Sequence, residues 1–329
     1  MLAGCTADPP PPPPAPLAEL SGIQATGGIG VTALLPTAGP TLFDADRGTA
    51  VSPPGYPGGD VRLDAVRAGT HVVLTARPRD TRNPEPFEIL EYTGPSSPPR
   101  SFGRAWSAAP DAGGEGLWLI RQDAPDDCRL QHVSFAAGEL GRGQPASCRT
   151  RVRTETAHGL LITINADAAE STDALIEPAT GRTIRQAPRI LGAAGDWMLL
   201  DGLTDLTLVD LRDNRSQKLN RPSIGAAPTV VPSREGAVWA VDFANPAYRG
   251  TNTQTRDIWL LRPSGPTWDH APGMPFVTEH LDRGFAWSAA GDLVLADRVL
   301  AAWHPGEPQW RLGQAALPKS DWSGLAIIP

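Results

Sequence analysis

The stretch between residues 159 and 181 contains two short phrases that decide the fold. Residues 159–162 read GLLI, a glycine that opens an apolar run. Residues 176–181 read IEPATG, an apolar strand end followed by a polar tip and a second glycine. Short apolar runs that end in polar tips with glycine are typical of β-strands joined by tight hairpins, because glycine accepts the positive φ that such turns require. The stretch therefore predicts a small antiparallel unit.

Both phrases recur along the whole chain. The first phrase, a glycine with a hydrophobic residue three positions later, places its hydrophobic member at Val31, Val72, Leu119, Ile162, Met198, Trp239 and Val294. The second phrase lies out of phase with the first and places its turn residue at Gly48, Gly94, Gly138, Gly181, Asn214, Gly265 and Gly306. Seven strand starts alternate with seven turns, at a mean spacing of about 44 residues. Several short strands within a period of this length indicate a β-propeller.

The repeat predicts an all-β, seven-bladed β-propeller over residues 21–329. A third phrase, AWSAA, occurs at residues 105–109 and 286–290, where we expect the innermost strands of blades three and seven. Blade one has no evident inner strand before Gly28, whereas residues 322–328 (WSGLAII) have the pattern of one more strand. We expect this C-terminal strand to complete blade one, because ring closure removes the exposed edges of an open array.

The first twenty residues are predicted to form a separate segment. Residues 2–5 (LAGC) resemble the lipobox of bacterial lipoproteins, and the resemblance implies a lipidated Cys5. An unbroken proline run at residues 9–14 follows, which we expect to be a disordered but stiff polyproline tether over residues 1–20. Only Met1 precedes the motif, so either a signal peptide is encoded upstream or the match is accidental. We expect an extracytoplasmic protein, lipid-anchored to the outer face of the cell membrane or secreted.

On its strand–turn rhythm, with Asp44, Glu177 and Asp210 before the hairpin tips, the chain resembles bacterial propeller families related to WD-repeat and quinoprotein-type repeats. Together with the lipobox-like segment, it is similar to β-propeller lipoproteins of the actinobacterial type. The resemblance covers residues 21–329 and implies the architecture.

The two other cysteines are predicted to form a disulfide. The midpoint between Cys128 and Cys148 falls on the turn at Gly138, and residues equidistant from a hairpin turn face each other. A disulfide agrees with an oxidising compartment. The alternative is two unrelated buried thiols.

Composition and motifs exclude several classes of function. The net charge of −7, from 36 acidic and 29 basic residues, shows no clustered basic face, so we expect no nucleic-acid partner. The histidine spacing matches no metal motif, and the chain has no nucleophile elbow or phosphate-binding glycine loop. We therefore predict no catalytic residue, metal or cofactor, and we expect a monomer.

Loops of unequal length indicate a candidate binding face. In a propeller, loops between the second and third strands of a blade share one face with the connections between blades. These loops are long in blades two, four and six, and blade three adds acidic residues. Repeat scaffolds often place insertions on the functional face, although surface insertions can also be merely tolerated. The candidate ligand-binding residues are Arg79, Arg82, Asp126, Asp167, Tyr248, Arg249 and Arg256.

Two functional hypotheses follow. The first is a non-catalytic binding or scaffold propeller, tethered to the cell envelope, that recognises a protein, peptide or glycan through its loop-rich face. The second is an exported propeller hydrolase or lactonase that uses carboxylates at the channel mouth, with Ca²⁺ as a possible ion. The absence of catalytic motifs favours binding.

Overall fold

The computed structural model of the chain is all-β where it is described. The description covers residues 28–37, 39–57, 61–78, 85–124, 127–139, 141, 143–166, 168, 170–202, 204–223, 226–244, 256–273, 284–297, 299–317 and 324–328. These residues form 29 strands and no helix, and the strands make seven antiparallel sheets arranged as the blades of a propeller ring. The predicted fold class is confirmed. Within the described ranges, no helix has the length and apolar character of a membrane span.

Each blade is a meander of four strands, numbered here from the axis outward. Blade one contains β1 (Thr32–Leu35), β2 (Thr41–Asp44) and β3 (Ala50–Val51), and blade two contains β4 (Val61–Ala68), β5 (His71–Pro78), β6 (Phe87–Tyr92) and β7 (Arg100–Ala105). Blade three contains β8 (Ser107–Pro110), β9 (Gly116–Ala124), β10 (Asp127–Ser134), β11 (Gly138–Glu139) and β12 (Gln144–Ala146), the last two being pieces of one outer strand. Blade four contains β13 (Arg151–Thr156), β14 (Gly159–Ile164), β15 (Thr172–Ile176) and β16 (Thr183–Ala187).

The remaining blades repeat this order. Blade five contains β17 (Ile190–Ala194), β18 (Trp197–Asp201), β19 (Asp205–Asp210) and β20 (Ser216–Asn220). Blade six contains β21 (Ala226–Pro232), β22 (Trp239–Ala244), β23 (Arg256–Arg262) and β24 (Thr267–His270). Blade seven contains β25 (Phe285–Trp287), β26 (Leu293–Ala296), β27 (Val299–Trp303) and β28 (Arg311–Ala316), and the last strand of the chain is β29 (Ala326–Ile328).

The two sequence phrases have defined places in every blade. The glycine phrase opens the second strand, and the polar tip is the turn between the third and fourth strands. Six of the seven tip residues have positive φ, from 60° at Asn214 to 135° at Gly94. Gly265 is the exception, so its hairpin does not require a glycine for conformational reasons. The AWSAA copies meet the predicted innermost strands at different points: residues 107–109 begin β8, whereas residues 286–287 end β25 and residues 288–290 follow it.

The core consists of seven apolar clusters, one between each pair of neighbouring blades. Successive residues of the second strand point to opposite faces of the sheet and so pack against different neighbours. In β14, Leu160 and Ile162 pack against blade three, whereas Leu161 packs against blade five. Because both faces are buried, the second strands are continuous apolar runs rather than alternating ones. This packing explains why the apolar run of the glycine phrase recurs in every blade.

The C-terminal strand closes the ring. Strand β29 pairs antiparallel with β1, with Ala33 opposite Ile327, and becomes the innermost strand of blade one. Leu325, just before the strand, and Ile327 within it are buried in the cluster between blades seven and one, and Ala326 is buried between blades one and two. The predicted closure is therefore confirmed, and the chain ends hold the first and last blades together.

The predicted disulfide between Cys128 and Cys148 is also present, with the two Cα atoms 5.1 Å apart. Cys128 lies in β10 opposite Ala146 of β12, so the bridge fastens the third strand of blade three to the connection that enters blade four.

Removing this disulfide is expected to lower the free energy of unfolding by about 3 kcal/mol, because the loop that it closes between Cys128 and Cys148 restricts the conformations of the unfolded chain. The double variant Cys128→Ala/Cys148→Ala, compared with wild type by urea unfolding, measures the loss. Reductant should weaken wild type by the same amount and leave the double variant unchanged. Equal stability of the oxidised wild type and the variant would contradict a structural role.

Candidate functional site

The binding residues were predicted on the face that carries the connections between blades and between second and third strands, here called the loop face. Six of the seven lie outside the described residues: Arg79, Arg82, Asp126, Asp167, Tyr248 and Arg249. The seventh, Arg256, is the first residue of β23, at the strand end that meets the loop face. Their part in binding stays a prediction. The lipidation of Cys5, which also lies outside the described residues, stays a prediction as well. The described part of the loop face contains a different set of charged residues.

Three consecutive inner strands carry a β-bulge close to the loop face. In β13 the pairing register shifts at Arg153, in β17 it shifts at Leu191, and in β21 it shifts at residues 227–228. A bulge inserts an unpaired residue and turns its side chain out of the regular alternation. Pro228 is compatible with the third bulge. Proline has no backbone N–H, and a residue at a bulge does not have to donate one to the strand pairing. Blades four, five and six are thus distorted at the same level of the ring.

All three bulges border one cleft of about 410 Å³ on the loop face, beside the axis of the ring. The cleft is lined by residues from the inner strands, from the second and third strands of blade four, and from the connection between blades four and five: Arg153, Thr163, Ser171, Asp173, Pro188, Arg189, Ile190, Leu191, Pro228, Thr229 and Val230. This volume lies within the range of small-ligand sites. Bulges are common beside binding and active sites, so their convergence marks the cleft as the candidate site.

An ion pair between Arg153 and Asp173 forms the base of the cleft. Nη1 of Arg153 lies 3.2 Å from Oδ2 of Asp173 and also donates to the Ile190 carbonyl, while Nη2 donates to the Leu191 carbonyl at 2.8 Å. Asp173 is buried and accepts the Thr163 hydroxyl at 2.6 Å and the Ile190 N–H at 2.6 Å. The network fixes the guanidinium and joins blade four to blade five.

A second network stands beside the first. Asp201, the last residue of β18, lies 3.2 Å from Nη1 of Arg189 and pairs through its other oxygen with Arg221. Arg221 also donates to the Gly202 carbonyl at 2.7 Å, which fixes it in the connection between blades five and six. The Arg189 side chain is 49% exposed, so it combines an anchored nitrogen with an open guanidinium edge.

The electrostatics of the cleft favour an anion. Burial lowers the pKa of Arg153, Asp173 raises it, and the charge of Arg189 lowers it again, with a net result below the ordinary arginine value. Among the described residues of the two networks, the guanidinium groups of Arg153, Arg189 and Arg221 outnumber the carboxylates of Asp173 and Asp201 by one.

Sequence reasoning missed Arg153, Asp173, Arg189 and Arg221. The binding residues were predicted in the long loops, whereas these four residues lie in or beside strands. A β-bulge has no sequence signature of its own. A usable signal was nevertheless present. Arg189 immediately precedes the inner strand of blade five, and Arg221 begins the connection into blade six. Examining the inter-blade connections as a class would have singled out these two arginines, but not Arg153 and Asp173, which lie within strands.

The described histidines serve packing and hydrogen bonding. Each has a ring nitrogen within 3.0 Å of a carboxylate oxygen: His71 with Glu91, His132 with Asp111, His158 with Asp196, His270 with Asp257 and His304 with Asp292. In the described part of the chain, no group of three histidine, cysteine or acidic side chains is arranged to hold a metal ion. His280 lies outside the described residues.

Comparison with known proteins supports the fold. No protein-family model matches the chain, and no curated protein matches it. Among solved structures, a candidate 6-phosphogluconolactonase of Bacteroides fragilis superposes with a TM-score of 0.54 at 11% identity, covering 91% of this chain and 98% of that one. A protein from Lactobacillus plantarum gives 0.53 at 11% identity, covering 91% and 99%. An oligogalacturonate lyase in complex with manganese gives 0.51 at 14% identity, covering 86% and 85%. At these identities the similarity concerns the fold alone.

Proposed function

We propose that this protein is a non-catalytic binding module that holds an anionic partner in the loop-face cleft. The observation that carries the proposal is the half-exposed side chain of Arg189 beside the fixed guanidinium of Arg153, in a cleft whose described ion-pair networks contain one more guanidinium than carboxylate. Arginine presents a planar fork of donors that matches a carboxylate or a phosphate in two-point contact. A rigid ring with a charged cleft on its loop face is suited to holding a partner.

The chemistry of Asp173 supports binding over hydrolysis at this cleft. A general base needs a free lone pair that can reach a proton of the substrate. Here one carboxylate oxygen accepts the Thr163 hydroxyl, and the other accepts the Ile190 N–H and the Arg153 guanidinium. Asp201 is similarly held between two arginines. The hydrolase or lactonase alternative needs channel-mouth carboxylates free for acid–base work or for Ca²⁺, and these two are committed elsewhere.

The proposal includes a membrane tether at Cys5 and an extracytoplasmic location. The disulfide between Cys128 and Cys148 supports the location, because disulfides persist in oxidising compartments. A monomer held by lipid and a proline-rich spacer would present the propeller clear of the membrane.

Replacing Cys5 by serine is expected to move the protein from the membrane fraction to the soluble extracytoplasmic fraction, since serine cannot carry the thioether-linked lipid. Expression from the natural reading frame in a bacterial host, followed by fractionation and immunoblotting, measures the change, with Thr6→Ala as the control that should stay at the membrane. If the serine variant remains membrane-bound to the same extent as wild type, the lipid anchor is wrong.

Binding through the cleft is tested with arrays of acidic, neutral and basic peptides and of acidic glycans, probed with labelled protein. Arg189→Gln should lose the ligands that wild type retains. Arg262→Gln is a matched control, because that arginine is 47% exposed, lies 3.1 Å from Asp269 and lines a different cleft, on the side of the ring opposite the loop face. Ligand profiles that are identical in wild type and Arg189→Gln, or the absence of any anionic ligand, would refute the proposal.

A further inference from the structure

The open surface of the loop-face cleft is mainly polar. Arg189 and Thr229 are exposed, and Ser171 is half-buried. Several apolar side chains of the lining are buried and offer almost no surface to a ligand: Ile190, Leu191 and Pro228. A ligand in this cleft is therefore held by charge and hydrogen bonds rather than by apolar contact.

Two hydroxyl groups of this surface are available to a ligand. Neither Ser171 nor Thr229 forms a side-chain hydrogen bond with another described residue. A third hydroxyl, on Thr163, donates its proton to Asp173 at 2.6 Å and keeps its lone pairs. Because a hydroxyl group both donates and accepts, Ser171 and Thr229 suit a ligand that itself carries hydroxyl groups.

The charged group and the hydroxyl groups come from three sides of the cleft. Ser171 immediately precedes β15 of blade four, Arg189 immediately precedes β17 of blade five, and Thr229 lies in β21 of blade six. Arg189 is tied to Asp201 through Nη1, and its remaining edge can meet a carboxylate in two-point contact. The cleft volume of about 410 Å³ leaves room for a six-membered ring beside that carboxylate. An occupant that satisfies all three sides therefore combines one carboxylate with several hydroxyl groups.

From this lining, and resting on the function proposed above, we infer that the cleft recognises a uronic acid residue of an acidic glycan, with its carboxylate on Arg189 and its ring hydroxyls on Ser171 and Thr229. A uronic acid carries one negative charge, which matches the one guanidinium in excess in the described ion-pair networks. Its hydroxyl groups lie around the carboxylate, whereas methylene groups separate the carboxylate of an acidic amino acid from the polar peptide backbone. A phosphate monoester carries more negative charge than these networks leave unbalanced.

The carboxylate is the main point of recognition in this assignment. None of the described lining residues is aromatic, so the faces of a sugar ring find no stacking surface among them. A neutral sugar retains only the hydroxyl contacts, and we expect it to bind much more weakly than the corresponding acid.

Saturation-transfer NMR with three small probes tests the ligand class. The probes are methyl β-D-glucuronide, its neutral analogue methyl β-D-glucoside, and N-acetyl-L-glutamate α-amide as an acidic peptide residue, at equal concentration and ionic strength. We expect the glucuronide to bind at least about tenfold more tightly than the glucoside, because hydrogen bonds to a charged group are the strong ones. It should bind about fivefold more tightly than the glutamate amide, which lacks the hydroxyl contacts.

Three variants separate the charge from the hydroxyl groups. Arg189→Gln should weaken binding of the glucuronide by about tenfold or more, since the charged partner is lost. Ser171→Ala and Thr229→Val remove only hydroxyl groups, so each should weaken the glucuronide by about threefold and leave the glutamate amide unchanged. Arg262→Gln is the matched control and should leave the affinity for all three probes unchanged.

The outcomes separate this inference from the proposal on which it rests. If the glutamate amide binds in an Arg189-dependent way and at least as tightly as the glucuronide, the cleft binds anions and the glycan assignment is overturned. Equal binding of the glucuronide and the glucoside overturns it as well, and so does unchanged glucuronide binding in both hydroxyl variants. If Arg189→Gln changes the binding of no anion, both the inference and the cleft proposal fail.

Discussion

A chain that ends at Lys319 is expected to lose its cooperative thermal transition. The deletion removes β29, the only strand that lies between β1 and the axis in the described blade one. It exposes the backbone edge of β1 and empties apolar positions in two inter-blade clusters, at Leu325, Ala326 and Ile327. Each large aliphatic side chain contributes about 1.5–3 kcal/mol when buried, and loss of the closure leaves two open ends. Circular dichroism and calorimetry should show a broad, shallow transition.

A point substitution tests the same ring closure in a full-length chain. Ile327→Ala should cost about 2–4 kcal/mol by creating a cavity between blades seven and one. Ile184→Ala, at a side chain that is 45% exposed on an outer strand, should change stability by less than about 0.5 kcal/mol. Unchanged melting of both the truncated chain and Ile327→Ala would show that the ring does not depend on its C-terminal strand.

Replacing Asp173 by alanine is expected to lower the free energy of unfolding by about 3 kcal/mol. The substitution removes a buried carboxylate and leaves the Arg153 guanidinium, the Thr163 hydroxyl and the Ile190 N–H without their shared acceptor. Removing one partner of a buried, hydrogen-bonded ion pair costs more than the pair itself contributes, because the remaining charge stays desolvated. Urea unfolding measures the loss.

The matched control is Asp269→Ala, which breaks a surface pair of nearly equal length, 3.1 Å against 3.2 Å. Exposed pairs contribute little, so we expect a loss below about 1 kcal/mol. The double variant Arg153→Met/Asp173→Leu should be more stable than Asp173→Ala, since it removes the isolated charge. Similar losses for Asp173→Ala and Asp269→Ala would mean that the cleft network is not structurally important.

Much of the fold could be predicted from the sequence because its signals are local and repeated. The glycine phrase marks a strand buried on both faces, and that requirement recurs identically at Val72, Met198 and Trp239. The missing inner strand of blade one and the surplus strand at the C-terminus together implied closure. The disulfide followed from hairpin symmetry about Gly138. Gly265 differs because its turn closes without positive φ, although the residue occurs in the repeat position.

The candidate site could not be predicted in the same way because it depends on β-bulges, which interrupt the regular strand pairing. Arg153 occupies an unpaired position in β13, and nothing in residues 151–156 distinguishes a bulge from a regular strand. Its partner Asp173 lies on another strand and completes its contacts with the backbone of the next blade. Such a network is defined by the twist of three blades around the axis. The sequence analysis predicted binding through arginines of the loop face, as the proposed site does, but it named other positions.

A crystal structure of the protein soaked with acetate tests the central claim, anion binding beside Arg189, most directly. We expect density in the loop-face cleft, with the carboxylate within hydrogen-bonding distance of Arg189. A ligand bound on another surface, or in the cleft with its carboxylate turned to solvent, would contradict the account.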